Sequence, residues 1–147
     1  MTIFIGADHR GFELKNQIIE YLQEKNIRVE DMGALQLDPL DDNPDYAKKV
    51  AEAVLQNPSE FLGIVICATG IGVNIMANRF RGIRSGVAYS IQQVKAAKED
   101  DNINVLALAA DYTDLESAKP MIDVFMSAKL KSDEKYQRRI SKLDGAI

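Results

Sequence analysis

Residues 67–72 read Cys-Ala-Thr-Gly-Ile-Gly and combine a thiol, a hydroxyl and two glycines in one short segment. A turn of small residues between an apolar run and a helical pattern leaves backbone N–H groups free to surround an anion. A thiol at the N-terminus of a helix ionises more readily than a free thiol, so Cys67 is a candidate nucleophile or general base. The alternative is a small buried apolar residue at the end of a strand. The spacing alone leaves both interpretations open.

Asp8 and His9 are a second pair of polar side chains, and they closely follow an apolar run at residues 3–5. Such a pair can bind a sugar hydroxyl or a phosphate, whereas Asp8 could instead cap a helix that begins near Gly11. The chain holds one histidine, His9, and one cysteine, Cys67. One cysteine forms no disulfide within a chain, and one of each is too few for a cluster of Cys and His ligands. We therefore predict no metal site and no cofactor.

Two glycine motifs that bind nucleotides are incomplete in this sequence. Gly70 and Gly72 match the first two positions of a dinucleotide-binding fingerprint, but Ile75 stands at the third position. No Gly-Lys-Ser or Gly-Lys-Thr follows to complete a phosphate-binding P-loop. A nicotinamide or ATP site is therefore not expected.

Apolar runs and helical patterns alternate along the whole chain. The runs that predict strands are residues 3–5, 28–32, 62–66, 86–88 and 105–108. Apolar stripes at helical spacing lie between them, and the predicted helix starts include Asn43-Pro44 and a capping box from Thr113 to Glu116. This alternation predicts an α/β fold with a mostly parallel sheet of five strands. Ligands bind at the carboxyl ends of such strands, so the two polar groups described above should lie close together.

At 147 residues the chain is predicted to be a single domain, 1–147, with a charged helical extension at 129–147. Lys and Arg number 18 and Asp and Glu number 22, which gives a net charge of −4. This balance disfavours a nucleic-acid partner, whose phosphates need an excess of basic residues. The longest apolar run, 105–110, is far shorter than the roughly 18 residues that span a membrane. Because no leader pattern is visible at the N-terminus, we expect a cytoplasmic protein with no membrane partner.

Six segments of the chain occur in the same order as the motifs of a known family: 6–11, 45–51, 66–72, 77–80, 82–84 and 104–107. They resemble the family of type B ribose-5-phosphate isomerases and galactose-6-phosphate isomerases. The resemblance implies a Rossmann-like three-layer α/β/α sandwich that isomerises a phosphorylated sugar without a metal. It also implies a homodimer or homotetramer with active sites between subunits.

The resemblance assigns roles to the residues of segment 67–72. The cysteine that corresponds to Cys67 moves a proton between C1 and C2 of the open-chain sugar, through an enediolate. Thr69 and the backbone of Gly70, Ile71 and Gly72 correspond to the group that stabilises the enediolate oxygens. Physical chemistry is consistent with these roles, because preorganised donors stabilise the charge that develops on oxygen.

Three further residues correspond to positions that bind the substrate. Asp8 and His9 match such positions after the first strand, and Arg139 matches an arginine that holds the phosphate. The planar fork of an arginine suits phosphate oxygens, and Lys135 and His9 are candidates to assist it. The alternative for Arg139 is an exposed arginine on a solvated terminal helix.

Other positions depart from the pattern of the family. Asp100, followed by Asp101, stands where the family has the histidine that opens the sugar ring, so both are predicted substrate-binding residues by position. Asp111 and Lys135 stand where the family has two arginines associated with the phosphate. An aspartate is ionised near neutral pH and is a poor proton donor. We therefore expect ring opening to be left to another group, or a substrate such as a tetrose 4-phosphate that forms no furanose ring.

Two functions are compatible with a sequence that has some of the family's site residues and lacks others. The first is aldose–ketose isomerisation of a pentose, hexose or tetrose phosphate, and Cys67 with Thr69 favours it. The second is a non-catalytic subunit that binds a sugar phosphate and completes the site of a paralogous partner, as in a hetero-oligomeric galactose-6-phosphate isomerase. Asp100 and Asp111 favour this second function.

Overall fold

Five strands and six helices alternate along residues 1–146, the part of the chain that the computed structural model describes. The strands are β1 (Thr2–Ala7), β2 (Arg28–Asp31), β3 (Phe61–Cys67), β4 (Ser85–Val87) and β5 (Val105–Ala109). The helices are α1 (Phe12–Glu24), α2 (Asn43–Val54), α3 (Ile71–Ala77), α4 (Ile91–Asp101), α5 (Leu115–Ser127) and α6 (Glu134–Asp144). Every predicted strand is present, with ends that differ by one or two residues. No helix in this part of the chain is both long enough and apolar enough to cross a bilayer.

The strands form one sheet in the order β2-β1-β3-β5-β4, and every neighbouring pair is parallel. The central strand is β3, in which Ile64 lies between Ile5 of β1 and Leu106 of β5. A central parallel strand is covered by helices on both faces, which is why β3 reads as a nearly continuous apolar run. The predicted α/β class with a parallel sheet is confirmed.

Helices cover both faces of the sheet and complete a Rossmann-like three-layer α/β/α sandwich. On one face α1, α4 and α5 pack together, with Ile18 and Phe125 fully buried. On the other face α2 and α3 bury Val50 and Val73, in the core cluster that also contains Cys67. Burial of these apolar stripes is the main force that holds the three layers together.

Two helix starts differ in detail from the sequence prediction. Asp42, with an extended backbone, precedes α2, and Asn43 is the first helical residue rather than the cap. At α5 the cap is Asp114 rather than Thr113, and its side chain accepts a hydrogen bond from the Ser117 N–H at 2.8 Å. The first of these differences leaves the side chain of Asn43 without a capping role.

The helix α6 lies beside α4 at the amino end of the sheet. Asp144, at the end of α6, pairs with Arg84, just before β4, at 2.9 Å. The Lys131 ammonium, ahead of α6, lies 2.6 Å from a carboxylate oxygen of Asp100 in the last turn of α4. A crossover helix runs back along a parallel sheet, so the last turn of α4 lies at the amino ends of the strands. The helix α6 falls within the predicted extension at 129–147, whose residue 147 lies outside the described residues.

An ion pair in the core fixes the connection between β2 and α2. The Lys15 side chain, on α1, is fully buried, and its ammonium donates to Asp31 at the end of β2. The other Asp31 oxygen accepts a hydrogen bond from the Gly33 N–H at 2.9 Å. A buried ammonium without a counter-charge is strongly unfavourable. Asp31 therefore neutralises Lys15 and also orients the backbone that leads toward α2.

We expect Asp31→Ala to lower the free energy of unfolding by about 3–5 kcal/mol, because it leaves the Lys15 ammonium buried and unpaired. The matched control is Glu52→Ala, which removes an exposed partner of Lys48 at 3.9 Å and should cost less than about 1 kcal/mol. Urea unfolding followed by circular dichroism measures both variants. Equal losses would show that the buried pair has no special importance.

Candidate active site

Cys67 is the last residue of β3, and its side chain is 4% exposed. It belongs to the core cluster that α2 and α3 form on the sheet, with Ala47 and Val73. Its carbonyl accepts a hydrogen bond from the Ala110 N–H at 2.9 Å, which joins the ends of β3 and β5. The helix α3 begins only at Ile71, so a turn separates it from the thiol. A strand, a turn of small residues and a helix follow one another as the sequence predicts, with residues 68–70 between the thiol and α3.

The turn after Cys67 depends on Gly70. This residue has φ +73°, in the left-handed region that favours glycine. A Cβ atom at this position would lie 3.1 Å from the carbonyl carbon of Leu108 and 3.2 Å from its oxygen. The Ala68 carbonyl accepts a hydrogen bond from the Asp111 N–H at 3.0 Å. Gly70 therefore lets the turn pack directly on the backbone of β5.

The hydroxyl of Thr69 and the first N–H groups of α3 lie at the carboxyl edge of the sheet. Thr69 is exposed, and its hydroxyl accepts a hydrogen bond from the Ile71 N–H at 3.3 Å. Within residues 1–146, the N–H groups of Gly72 and Val73 donate to no protein acceptor. The first N–H groups of a helix have no partner inside it and are available to a ligand. The turn thus offers a hydroxyl and two backbone donors next to the Cys67 strand end.

Asp8 lies at the carboxyl end of β1, beside the end of β3. Its N–H donates to the Ile66 carbonyl at 3.4 Å. One carboxylate oxygen accepts hydrogen bonds from the N–H groups of Arg10 at 3.0 Å and Gly11 at 3.1 Å. Burial raises the pKa of Asp8 above its ordinary value. The side chain therefore closes the turn before α1, beside the end of β3, and it does not cap the helix, whose N-cap is Gly11 without a side-chain hydrogen bond.

His9 is held by Asp41, which lies in the connection between β2 and α2. The His9 Nδ1 lies 2.7 Å from Asp41 Oδ1, and the His9 backbone N–H donates to the same oxygen at 3.0 Å. The Asp41 side chain is 6% exposed. Burial acts to raise the pKa of Asp41, but the hydrogen bonds from His9 outweigh it and hold this pKa below the usual value. Burial and the neighbouring Asp41 raise the pKa of Tyr46 to about 12, so the phenol stays protonated.

Asp8, His9 and Asp41 are also the group in residues 1–146 whose ligand atoms lie close enough to hold a metal ion, within 4.8 Å of one another. Hydrogen bonds already engage one oxygen of each carboxylate and the Nδ1 of the imidazole. The contacts observed are those of a hydrogen-bonded network that orients His9.

Arg10 and Asp111 form an ion pair across the end of the central strand. The Arg10 Nη2 lies 2.8 and 2.7 Å from the two carboxylate oxygens of Asp111. Arg10 follows β1 and Asp111 follows β5, and β3 lies between these two strands. Neither Arg10 nor Asp41 was predicted as a site residue, because each meets its partner only in the folded chain. Asp111, where the resemblance implies an arginine, is thus neutralised by an arginine from the other side of β3.

The remaining predicted site residues lie at the amino end of the sheet, opposite to Cys67. Asp100 is paired with Lys131, and Asp101 is the exposed last residue of α4. On α6, the Lys135 ammonium lies 3.4 Å from Asp133, and the Arg139 guanidinium lies 5.7 Å from the centre of a tyrosine ring. The structure therefore divides the predicted site into two groups. One stands at the carboxyl end of the strands with Cys67, and the other stands near α4 and α6 at the amino end.

The fold and this arrangement define a class of protein: a Rossmann-like α/β sandwich with a cysteine and an open backbone turn at the carboxyl end of its central parallel strand. Small ligands bind at this edge of such sheets. The chain belongs to the Ribose/Galactose Isomerase family, which it matches over residues 3–143. It is therefore an isomerase.

Relatives and solved structures support this assignment over nearly the whole chain. The probable ribose-5-phosphate isomerase B of Mycoplasma genitalium is 40% identical over 143 residues, 97% of this chain and 93% of that protein. The ribose-5-phosphate isomerase B of Mycobacterium tuberculosis is 34% identical over 95% of this chain and 86% of that protein. The crystal structure of ribose-5-phosphate isomerase B from Mycoplasma genitalium with bound ribulose-5-phosphate has a TM-score of 0.94 at 36% identity, and covers 99% of this chain and 95% of that chain.

We expect Gly70→Ala to lower the free energy of unfolding by about 1–3 kcal/mol, because a side chain is strained in the left-handed region and meets the backbone of β5. Gly86→Ala is the matched control, since a Cβ there would make ordinary contacts of 3.7 Å with Ile103. Its effect should stay within about 1 kcal/mol. Urea unfolding compares the two variants. A Gly70→Ala protein as stable as the control would contradict the close packing of this turn on β5.

Proposed function

We propose that the chain interconverts the aldose and ketose forms of a phosphorylated sugar by moving a proton between C1 and C2. The observation that carries this proposal is the position of the Cys67 thiol, at the end of the central strand and next to a turn with two open N–H groups. A base and preorganised donors are the two groups that formation of an enediolate requires. Cys67 and the Thr69–Gly72 turn supply both.

The proposed reaction conserves all atoms and electrons of the sugar. From the aldose, the Cys67 thiolate takes the proton on C2, and the electron pair forms the C1–C2 double bond of the enediolate. The proton returns to C1, while a hydroxyl proton passes from O2 to O1, and Cys67 ends as it began. The Thr69 hydroxyl and the N–H groups of Gly72 and Val73 are placed to stabilise the charge on these oxygens. Asp8 and His9 bind hydroxyl or phosphate groups of the same substrate.

The substrate class is a pentose, hexose or tetrose phosphate. The relative with bound ribulose-5-phosphate supports a phosphorylated sugar of this size. Asp100, which stands where the family has its ring-opening histidine, is paired with Lys131 at 2.6 Å. A carboxylate in an ion pair is a poor proton donor, so we infer that Asp100 does not open a sugar ring. A tetrose 4-phosphate, which forms no furanose ring, needs no such step.

We also propose that two copies of the chain build each site. In one chain Lys135 and Arg139 lie with α6, remote from Cys67, so they reach a shared substrate only from a second copy. Large apolar side chains are exposed around the carboxyl end of the sheet, on the connections that follow the strands, and such patches are typical of a subunit interface. They are Leu35, Leu37, Leu40, Tyr89 and Tyr112. A homodimer with an isologous interface is the simplest assembly that meets this requirement.

The second candidate is a subunit that binds a sugar phosphate without isomerising it and completes the site of a paralogous partner. The ion pairs of Asp100 with Lys131 and of Arg10 with Asp111 favour it, because both occupy charged groups near positions linked to ring opening and phosphate binding. The two candidates differ in one respect. Only the isomerase is active when the purified chain is assayed alone.

We expect the purified chain alone, after dialysis against a chelator, to isomerise at least one member of a panel of tetrose, pentose and hexose phosphates. Cys67→Ala should lower kcat by at least about 100-fold, because the base acts in the transition state. Its affinity for the substrate should change little, which isothermal calorimetry measures. No turnover by the wild type would favour the non-catalytic subunit, retained turnover in Cys67→Ala would place the base elsewhere, and restoration by a divalent cation would contradict a metal-free reaction.

A heterodimer tests whether each site is shared between two copies. Cys67→Ala and Arg139→Ala chains, co-expressed with different tags, should each be impaired as homodimers. In their purified heterodimer one site carries both substitutions and the other carries neither, so about half of the wild-type activity should return. A heterodimer no more active than the mean of its parents would show that Cys67 and Arg139 of one chain serve the same site, or that Arg139 serves none.

A further inference from the structure

Three side-chain polar atoms in residues 1–146 are buried without a hydrogen-bond partner, and two of them lie beside the candidate site. They are Asp41 Oδ2 and Asn43 Oδ1, while the third, Ser85 Oγ, lies at the start of β4. A buried polar atom without a partner costs about 1–3 kcal/mol. Such atoms are rare in folded proteins, and each one needs an explanation, such as a ligand that completes it.

Of the two unpartnered oxygens beside the candidate site, Asn43 Oδ1 is the one whose residue makes no other side-chain hydrogen bond in residues 1–146. The other oxygen of Asp41 is engaged by the ring and the backbone N–H of His9, which already give this carboxylate a role in orienting His9. Asn43 does not cap α2, because it is the first helical residue, and its amide makes no hydrogen bond within the described residues. Its Oδ1 is also shielded from solvent. Asn43 as a whole is half-buried, and the free energy lost by burying its oxygen is not recovered within the described residues.

The position of Asn43 places its amide at the candidate active site. A Cβ atom on Gly72 would lie 2.7 Å from Asn43 Oδ1 and 3.2 Å from its Nδ2. Ala47, one helical turn further along α2, packs in the same core cluster as Cys67. Residues four apart share one face of a helix, so Asn43 lies on the Cys67 side of α2, one turn closer to the open edge. The amide is thus adjacent to one of the two open N–H groups of the turn.

We propose that Asn43 is a specificity-determining residue that hydrogen-bonds a hydroxyl of the bound sugar, on the carbon next to the reacting pair. This proposal rests on the proposed isomerase function. A carboxamide carries a hydrogen-bond donor and an acceptor side by side. It can therefore donate to the oxygen of a hydroxyl or accept the hydrogen of a hydroxyl. Because the neighbouring Gly72 N–H serves an enediolate oxygen, the next group along the substrate is the C3 hydroxyl. The buried Oδ1 gains its missing partner only when that hydroxyl is present.

The test is a double-mutant cycle between the residue and the hydroxyl. The kcat/KM of the wild type and Asn43→Ala is measured on a sugar phosphate that the chain turns over and on its 3-deoxy counterpart. Asn43→Ala should lower kcat/KM at least about 10-fold on the first and leave the second nearly unchanged. Asn57→Ala, at the amino end of β3, is the matched control and should alter neither value.

The outcomes of this test distinguish a failure of the proposed Asn43 contact from a failure of the proposed isomerase function. Equal losses of Asn43→Ala on both substrates would assign a structural role to the residue and overturn the contact, as would unchanged rates on both. Urea unfolding gives a second measurement. Because Asn43→Ala removes a buried oxygen without a partner, it should leave the free energy of unfolding unchanged or higher. A clear loss of stability without altered substrate selectivity would also contradict the proposal. If the wild type turns over no sugar phosphate, the proposed function fails before this test applies.

Discussion

The close approach of the Gly70 backbone to β5 is the constraint on which the rest of the site depends. A Cβ atom on Gly70 would lie 3.1–3.2 Å from the Leu108 carbonyl group, so the close packing favours a residue without a side chain, and the left-handed φ of +73° favours glycine as well. The turn connects β3, which ends at Cys67, to α3, which begins at Ile71. The first amides of α3 therefore lie at the carboxyl edge of the sheet. Asn43 meets the same turn at Gly72, so Cys67, the backbone donors and the unpartnered Asn43 oxygen all lie around one closely packed turn.

Carboxylates pair with basic side chains around the candidate site. At the carboxyl end of the sheet, two side chains next to β1 are each held by a carboxylate from another connection, His9 by Asp41 and Arg10 by Asp111. These pairs fix geometry and leave little net positive charge for a phosphate dianion. In the proposed homodimer, Arg139 of the second copy supplies that charge.

The sequence predicted the features that depend on local patterns. Continuous apolar runs identified all five strands, because buried parallel strands need apolar residues on both faces, and the Cys-x-Thr-Gly-x-Gly segment marked the turn that the structure places at the end of β3. Contacts between distant segments were not predictable. His9 and Asp41 are 32 residues apart, and Arg10 and Asp111 are 101 apart, so only the folded sheet brings them together. Asn43 was expected to cap α2, but the extended Asp42 takes that position and frees the amide.

Isomerisation in deuterium oxide tests the central claim, that the Cys67 thiol carries a proton between C1 and C2. A thiol that holds the proton between two steps exchanges part of it with solvent. The account therefore predicts that ketose formed from unlabelled aldose carries deuterium at C1 in a measurable fraction of molecules, by NMR or mass spectrometry, and that Cys67→Ala introduces none. Product that retains the original C2 hydrogen at C1 in every molecule, formed equally well by Cys67→Ala, would show a direct hydride shift and contradict the account.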